Sequence, residues 1–414
     1  MAILTSPRSL DKTRATATGL IRHALAQPMA NFYLVVVSSG LLVGLGTLMV
    51  LSASSVHAEV AYGDSYYIVK RQLMFLLVGL AGVWLILRLK PATLRGFAWP
   101  GLLLSTVALM LTFTPLGHEV AGNRNWLQFG TPWLRFQPSE FAKLAIVLWG
   151  ADNLARKQKI LDRPRELIPF LGFSTIVVLL VILQRDLGTA IILGGIIFLV
   201  LFLTGAPLRL LGVLLGAAAA LAATLVLTSA NRMSRVSGFL NPTADVEGVN
   251  QQPMRAIYSL ASGGWWGLGL GQSKQKWGML VEAHTDFVFA IIGEEMGLFG
   301  TLSVIALFTT LVWAAFRIGR RCDDPFTRNL ALGVGSWFMV QSVLNMAVVM
   351  RLLPVIGVTL PLVSYGGSSL LANLAALGLL AVCARHEPAA RRVSARRDRK
   401  PAARVTAVVD SRRG

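Results

Sequence analysis

The chain has 414 residues, of which 54% are hydrophobic and only 14% are charged. Soluble domains carry about 25% charged residues, so this composition argues against an ordinary soluble enzyme. The formal net charge is +19, but the basic residues are concentrated in the two tails and between apolar runs. They form no continuous stripe, so we expect no nucleic-acid partner. The two cysteines, Cys322 and Cys383, indicate no disulfide framework.

Apolar runs follow one another along the chain, and their lengths suit membrane-spanning helices of about 20 residues. They are too long and too continuous for the alternating strands, of about ten residues each, of an outer-membrane barrel. The sequence therefore predicts an all-α polytopic membrane protein with ten transmembrane helices, at residues 31–52, 70–88, 97–114, 140–152, 167–184, 187–205, 208–229, 286–316, 329–351 and 358–384.

The positions of Lys and Arg predict the orientation of these spans. Cytoplasmic loops of membrane proteins carry an excess of both residues, and here the tails and every second loop hold most of them. We therefore expect both termini in the cytoplasm, with an uncleaved first span, a basic tail over 1–30, the membrane domain over 31–385 and a basic, disordered tail over 386–414. The outer face then has a large extracytoplasmic loop between helices 7 and 8, at about 230–285, and a smaller loop at 115–139.

The ionisable residues of the spans gather at one membrane edge. Such residues cost about 2.5–3.5 kcal/mol each at mid-helix, which makes them candidates for function. Glu140, Lys143, Asp186 and Asp286 fall at the predicted outer ends of spans, where the run Ser364–Ser369 opens the tenth. No basic residue is close to Asp286 in sequence, so a partly desolvated carboxylate there would bind a proton more strongly than usual. That property suits a general base, but ion coupling or a structural cap fits the spacing too.

The same residues also have structural interpretations. Glu140 and Lys143 are spaced i, i+3 and form an ion pair on one helix face in this interpretation, and Asp186 is the N-cap of the span that follows it. For the polar residues inside spans we expect hydrogen bonds or ion pairs between helices, at one or both of Glu294 and Glu295 and at Gln341 and Asn345.

Five separated motifs occur along the chain in one order. They are Gln137-Pro-Ser-Glu140-Phe-Ala-Lys143, Asp186-Leu-Gly-Thr189, Gly269-Leu-Gly271 through Gln275-Lys-Trp-Gly278, Glu282-Ala-His284-Thr-Asp286-Phe287 through Gly293-Glu-Glu295, and Gly357-Val-Thr-Leu-Pro361 through Ser364-Tyr-Gly-Gly-Ser-Ser369. In these motifs, over about residues 31–385, the chain resembles the SEDS family, named for shape, elongation, division and sporulation. The sequence Phe289-Ala-Ile-Ile-Gly-Glu-Glu295 and the two tails are more similar to the division member of that family than to the elongation member.

The resemblance implies a peptidoglycan glycosyltransferase that polymerises lipid II at the outer face of the bacterial cytoplasmic membrane during cell division. Asp286 matches the essential carboxylate of the family, and its implied role is general base on the sugar 4-hydroxyl of the acceptor. That hydroxyl attacks the anomeric carbon of the donor, and the lipid diphosphate leaves. Cationic candidates to hold the diphosphate are Arg124, Arg135, Lys143, Lys274 and Lys276. The supporting candidates are Glu282, His284, Gln137, Glu140, Asp186, Ser364 and Ser368.

The resemblance also implies partners. We expect a class B penicillin-binding protein transpeptidase, other divisome membrane proteins, and anionic lipid or an acidic cytoplasmic division protein at the basic C-terminal tail. No ligand spacing predicts a metal site, although a diphosphate leaving group is compatible with stimulation by Mg²⁺ or Mn²⁺. The chain departs from the family where Asn125 replaces the arginine that precedes Trp126, so the role of Arg124 is carried over across one position.

Two other functions fit a polytopic protein with polar residues at one edge. The first is a flippase that moves lipid II across the membrane without polymerising it. Transporter sites usually lie near the midplane and between repeated halves, whereas here the ionisable groups lie at the edge and no repeat is visible. The second is a divisome scaffold whose partner carries the chemistry, and the intact sequence around Asp286 argues against it.

Overall fold

The computed structural model describes residues 25–120, 122–128, 130, 135–160, 163–241, 245 and 248–392. Most of them form helices, which are α1 (Ala30–Tyr62), α2 (Tyr67–Ile86), α3 (Pro91–Gly96), α4 (Ala98–Leu111), α5 (Pro138–Arg156), α6 (Pro164–Leu183), α7 (Leu187–Thr204), α8 (Leu208–Leu227), α9 (Ala230–Leu240), α10 (Gln251–Ser262), α11 (Val288–Arg321), α12 (Pro325–Val349) and α13 (Gly367–Arg385). The predicted tails, 1–30 and 386–414, lie largely outside the described residues.

Eight of these helices are long and apolar enough to cross a membrane: α1, α2, α6, α7, α8, α11, α12 and α13. They coincide with eight of the predicted spans, because a hydrocarbon core of about 30 Å demands about 20 apolar residues. The predicted span 97–114 holds α4, a shorter apolar helix of 14 residues. The predicted span 140–152 lies within α5, a 19-residue helix whose side chains are mostly buried inside the protein. The fold is that of a mostly helical, polytopic membrane protein.

Two predicted span boundaries are wrong by about ten residues. Helix α1 has 33 residues and ends at Tyr62, so the first helix continues well beyond residue 52. Helix α13 begins at Gly367, because residues 350–366, here called the α12–α13 segment, do not form a helix. That segment contains two prolines, which cannot donate backbone hydrogen bonds, and Gly357 has a φ of +71°. The irregular backbone brings carbonyl groups of this segment to the polar end of the bundle.

The predicted loop 115–139 contains a small antiparallel sheet, so the prediction of an all-α protein is wrong there. Strand β1 (Gly117–Val120) pairs with β2 (Asn123–Gln128), and β2 pairs with β3 (Arg135–Phe136). Alternate residues of β2, Asn125 and Leu127, are buried, as expected for a strand with one face on the protein. The sheet leads directly into α5, whose first residue is Pro138, a favoured position for proline in a helix.

The predicted large loop, about 230–285, contains helices α9 and α10 followed by residues 263–278, here called the glycine-rich stretch. This stretch packs against α11 near Gly297, where the helix is broken and φ is +66° and ψ is −160°. The backbone nitrogens of Leu268 and Gly269 donate to the carbonyl oxygens of Glu294 and Glu295 at 2.9 and 3.0 Å. The broken helix thus offers backbone acceptors to the loop and holds it against the bundle.

Helices α5, α11, α12 and α13 form the centre of the bundle, and α12 packs against α5, α7 and α11. The indole rings of Trp149 and Trp337 lie fully inside it. Helix α8 is peripheral, with Leu211 as its buried residue. The exposed faces of the outer helices carry leucine and valine side chains, which suits contact with lipid rather than water.

Candidate active site

Asp286 lies in a turn, residues 281–287, that ends where α11 begins. The nitrogens of Thr285 and Phe287 both donate to the carbonyl oxygen of Glu282 at 3.2 Å, and Glu282 has a φ of +59°. The backbone is left-handed at Glu282, so Glu282 and Asp286 belong to a turn and not to one continuous helix. The Glu282 carboxylate accepts a hydrogen bond from Thr285 Oγ1 at 2.5 Å and is exposed.

The Asp286 side chain is partly buried, and its surroundings favour the protonated form. The pKa of Asp286 is raised from 3.8 to about 7. Burial is the largest cause, the negative charges of Glu282 and Asp186 also raise the pKa, and the positive charge of Arg235 on α9 lowers it. The sequence neighbours of Asp286 include no cation, so the fold supplies one from a distant helix. Within the described residues no hydrogen bond reaches the Asp286 carboxyl, which leaves its oxygens available to a substrate hydroxyl.

Asp186 is the centre of a hydrogen-bonded cluster at the same end of the bundle. Its Oδ1 accepts from Thr189 N at 3.0 Å, which confirms the N-cap interpretation. Its Oδ2 accepts from Thr189 Oγ1 at 2.9 Å, Asn125 Nδ2 at 2.9 Å and Gln137 Nε2 at 3.0 Å. The nitrogen of Gln137 also donates to Ser368 Oγ at 3.2 Å. The cluster ties β2, α5, α7 and α13 together next to Asp286.

Glu140 and Lys143 form a buried ion pair, which confirms the structural interpretation of their spacing. The ammonium of Lys143 is fully buried; it lies 2.8 Å from Glu140 Oε1 and 2.9 Å from Gln341 Oε1, and it also lies 5.2 Å from the ring centre of Trp337. With its donors occupied in this way, the ammonium faces no open surface. The expectation that Lys143 holds a diphosphate does not fit this enclosure, so we assign it to packing between α5 and α12.

The other predicted cations are scattered and do not contact Asp286. Arg124 Nη2 donates to Thr114 O at 2.8 Å, and Arg135 Nη2 donates to Gln128 Oε1 at 2.8 Å. The first contact joins β2 to the end of α4, and the second joins β3 to β2. The cation whose charge lowers the pKa of Asp286 is Arg235, which the sequence analysis missed.

The two lysines of the glycine-rich stretch have different surroundings. Lys276 is 8% exposed, and its ammonium lies 2.5 Å from Gly271 O and 3.7 Å from Glu295 Oε1. It therefore stabilises the stretch from inside and is not placed to bind a diphosphate. The side chain of Lys274 is exposed, and its backbone nitrogen donates to Glu294 Oε1 at 2.9 Å.

His284 and Ser364 belong to the surroundings of the turn. The His284 ring stacks on His57 with 5.5 Å between ring centres and lies 5.6 Å from the ring of Tyr365. Burial lowers the pKa of His284 to about 4, so the imidazole is neutral at neutral pH. The nitrogen of Tyr365 donates to His284 O at 2.9 Å, and Ser364 Oγ accepts from Leu360 N at 2.9 Å. The first contact fixes the α12–α13 segment to the turn, and the second lies within that segment.

The expected contacts of the buried polar residues are partly confirmed. Gln341 bonds to Lys143 across α5 and α12, as predicted. Glu294 accepts from Ser259 Oγ at 2.8 Å, and this bond joins α10 to α11. Asn345 is the exception, because its Nδ2 donates to the carbonyl oxygens of Asp286 and Val358 rather than to another helix. A sequence pattern places Asn345 inside a helix but cannot show which distant carbonyls it reaches.

A bound metal ion does not fit the described residues. They contain no group of three or more His, Cys, Asp or Glu side chains that could hold a metal ion. Asp186, the carboxylate that acts on Asp286, already accepts four hydrogen bonds from protein donors. We therefore derive no reaction step through a metal.

The fold and this polar end define an integral membrane protein with a partly buried carboxylate at one end of its helical bundle. The family model described as "Cell cycle protein", which covers FtsW, RodA and SpoVE, matches residues 32–389. The chain belongs to this family, which confirms the resemblance expected from the motifs.

Relatives match over most of the chain. The probable peptidoglycan glycosyltransferase FtsW of Mycobacterium tuberculosis is 39% identical over 368 residues, which are 88% of this chain and 70% of the relative. A solved structure described as a peptidoglycan synthase complex that coordinates polymerization and crosslinking has a TM-score of 0.70 and 32% identity, covering 85% of this chain and 96% of that chain. The crystal structure of the Thermus thermophilus rod shape determining protein RodA has a TM-score of 0.62 and 30% identity, covering 86% and 96% of the two chains.

Proposed function

We propose that the chain is a peptidoglycan glycosyltransferase that polymerises lipid II at the outer face of the cytoplasmic membrane during cell division. The observation that carries the proposal is the enclosed Asp286 carboxyl, whose pKa is raised to about 7 and whose oxygens accept no hydrogen bond from the described residues. A carboxylate that titrates near neutrality is suited to take a proton from a hydroxyl at physiological pH. The family relatives named as peptidoglycan glycosyltransferases support the choice of reaction.

In the proposed reaction, Asp286 accepts the proton of the 4-hydroxyl of the acceptor sugar. The hydroxyl oxygen forms a bond to the anomeric carbon of the donor, and the bond from that carbon to the diphosphate oxygen breaks. The diphosphate lipid leaves with the bonding electrons, and the proton on Asp286 is later released to water. Negative charge builds up on the leaving diphosphate, so a nearby cation lowers the barrier. Arg235 is our candidate for that cation, because it acts on Asp286 from α9.

We propose ten spans with both termini in the cytoplasm. This count adds α4 and α5 to the eight long apolar helices. Both of the added helices reach the Asp286 end: Gln184 Nε2 donates to Thr112 Oγ1, next to the end of α4, at 2.9 Å, and the nitrogen of Gln137, the residue before α5, donates to Ser368 Oγ at 3.2 Å. The excess of Lys and Arg at the opposite end supports a cytoplasmic position for that end.

We propose that the chain works at the division septum with a class B penicillin-binding protein and other divisome membrane proteins, and that its basic C-terminal tail binds anionic lipid or an acidic division protein. The solved relative described as a peptidoglycan synthase complex supports partnership with a crosslinking enzyme. Purification of the full chain from membranes with that partner tests the pairing, and separation of the two in both detergent and nanodiscs would contradict it.

The proposed chemistry is tested with the purified full chain, its transpeptidase partner and lipid II, by comparing the wild type with Asp286→Asn. The variant keeps the size of the side chain but cannot accept the proton, so we expect the loss of at least about 100-fold in the rate of glycan formation. Asp64→Asn is the matched control, because Asp64 is an exposed carboxylate paired with Lys70 at 2.8 Å near the same end. The control should polymerise at the wild-type rate.

Each outcome of this comparison is informative. Equal glycan from the wild type and Asp286→Asn would refute the role of Asp286. If the folded wild type made no glycan, and yet moved lipid II across vesicle membranes, the flippase would replace the polymerase as the function. If it did neither but remained necessary for its partner to crosslink, the scaffold would be supported instead.

A further inference from the structure

One buried side chain, Asn345, holds two separate backbone segments at the candidate site. Asn345 lies near the end of α12 and is 1% exposed. Its Nδ2 donates to Asp286 O at 2.8 Å and to Val358 O at 2.6 Å. An amide nitrogen has two hydrogens, so both donors are used. The side chain therefore links the turn that carries Asp286 to the α12–α13 segment.

The α12–α13 segment forms one wall of the space around the Asp286 carboxyl. Val358 follows Gly357, and a Cβ atom at Gly357 would lie 3.6 Å from Asp286 Oδ2. The first turn of α7 presses on the same backbone, since a Cβ at Gly188 would lie 2.6 Å from Ile356 O. The position of this wall relative to Asp286 thus decides how much water reaches the carboxyl.

We propose that Asn345 is a positioning residue for the candidate base, which fixes the Asp286 backbone against the α12–α13 segment and thereby sets the direction and enclosure of the carboxyl. This inference rests on the proposed function. The burial of Asn345 does not by itself indicate this role. Ser342 on the same helix is equally buried, but its Oγ donates to a carbonyl of its own helix, Phe338 O, at 2.6 Å and joins no other segment.

The proposal predicts a change in the titration of the base. The charged groups that face Asp286 are Glu282 from its own turn, Asp186 from the start of α7 and Arg235 from α9. None of these groups changes when Asn345 is replaced. A variant that releases the two carbonyls lets water in and moves the titration midpoint to lower pH, and a variant that keeps one donor should move it less far in the same direction.

The experiment measures kcat and KM for lipid II polymerisation by the full chain with its transpeptidase partner, over about pH 5.5 to 8.5. The variants are Asn345→Leu, which has a similar shape and no donor, and Asn345→Ser, which keeps one donor and adds no charge. Ser342→Ala is the matched control. We expect kcat to fall about 10- to 100-fold in Asn345→Leu with KM changed less than about threefold, as for a small misplacement of a reacting group. Both variants should shift the midpoint to lower pH, by about half a unit or more in Asn345→Leu and by less in Asn345→Ser.

The result that would overturn the proposal is a midpoint equal to that of the wild type in both variants, with kcat reduced only in proportion to thermal stability. Such a result would assign Asn345 to stability alone. A wild-type kcat in Asn345→Leu would also refute it. If Asn345→Leu does not accumulate in membranes, Asn345→Ser, which is the milder change, decides the question: a lower midpoint supports the proposal, and an unchanged midpoint refutes it. The proposed function is tested separately, by whether the wild type polymerises lipid II and Asp286→Asn does not. A failure of the Asn345 variants to change the titration would leave that result unaffected.

Discussion

The charge of Arg235 gives a quantitative prediction for the pH dependence of polymerisation. Burial, Glu282 and Asp186 raise the pKa of Asp286 from 3.8 to about 7, and Arg235 opposes them. The variant Arg235→Gln removes this opposition, so the pKa of Asp286 should rise further. The Arg235 side chain is exposed, and exposed charge pairs contribute about 0.2–1 kcal/mol. At about 1.36 kcal/mol per pH unit, the expected upward shift is about 0.2–0.7 units.

The sign follows from the role of a base, which acts in its ionised form. Wild-type kcat should fall as the pH drops through about 7, and the kcat of Arg235→Gln should fall at a higher pH. The assay measures initial rates at saturating lipid II in buffers of constant ionic strength. Salt offers an independent check, because raising the ionic strength from about 0.1 to 1 M shortens the Debye length from about 10 to 3 Å. High salt should therefore reduce the difference in midpoint between the wild type and Arg235→Gln.

The matched control for this prediction is Arg232→Gln. Arg232 lies one helical turn earlier on α9, and its Nη1 donates to Leu225 O at 3.2 Å. It is not among the groups that shift the pKa of Asp286, so its removal should leave the midpoint in place. An unchanged midpoint in Arg235→Gln, or an equal shift in both variants, would refute the reasoning from charge.

Two further variants test the packing around the site. Lys143→Met leaves the buried carboxylate of Glu140 without its partner, so we expect the free energy of unfolding to fall by about 3–5 kcal/mol. Thermal denaturation in detergent measures this loss, and adding Glu140→Gln should recover part of it. Gly188→Ala places a Cβ 2.6 Å from Ile356 O and should reduce polymerisation strongly, whereas Gly194→Ala, with nothing within 4 Å, should not. Equal activity of the two glycine variants would argue against close packing of α7 on the α12–α13 segment.

The long apolar helices could be predicted from sequence because a bilayer imposes one length and one polarity on every spanning helix. Features without such a periodic signal could not. The sheet over residues 117–136 consists of strands of two to six residues, too short for alternation to be recognised. The start of α13 at Gly367 depends on the path of the α12–α13 segment against Asp286, which is a tertiary contact.

The candidate site was predictable in its carboxylate but not in its cations. The sequence shows which residues carry charge and does not show which charges neutralise one another in the folded protein. Lys143 and Lys276 are both occupied by buried glutamates and carbonyl oxygens, so they were misassigned to the diphosphate. Arg235 is remote from Asp286 in sequence, and only the return of α9 to the polar end brings its charge into range.

Asp186 and Asp286 both lie at this end of the bundle, and their surroundings suit them to different roles. Asp186 accepts four hydrogen bonds, from Asn125, Gln137 and two donors of Thr189, so a substrate hydroxyl would have to displace a protein donor to reach it. The oxygens of Asp286 accept none from the described residues, and the α12–α13 segment lies beside them at Gly357. This difference in environment supports the proposed assignment of Asp286 as the base and of Asp186 as a structural carboxylate. In the proposed reaction Asp186 still contributes, because its negative charge helps to raise the proton affinity of Asp286.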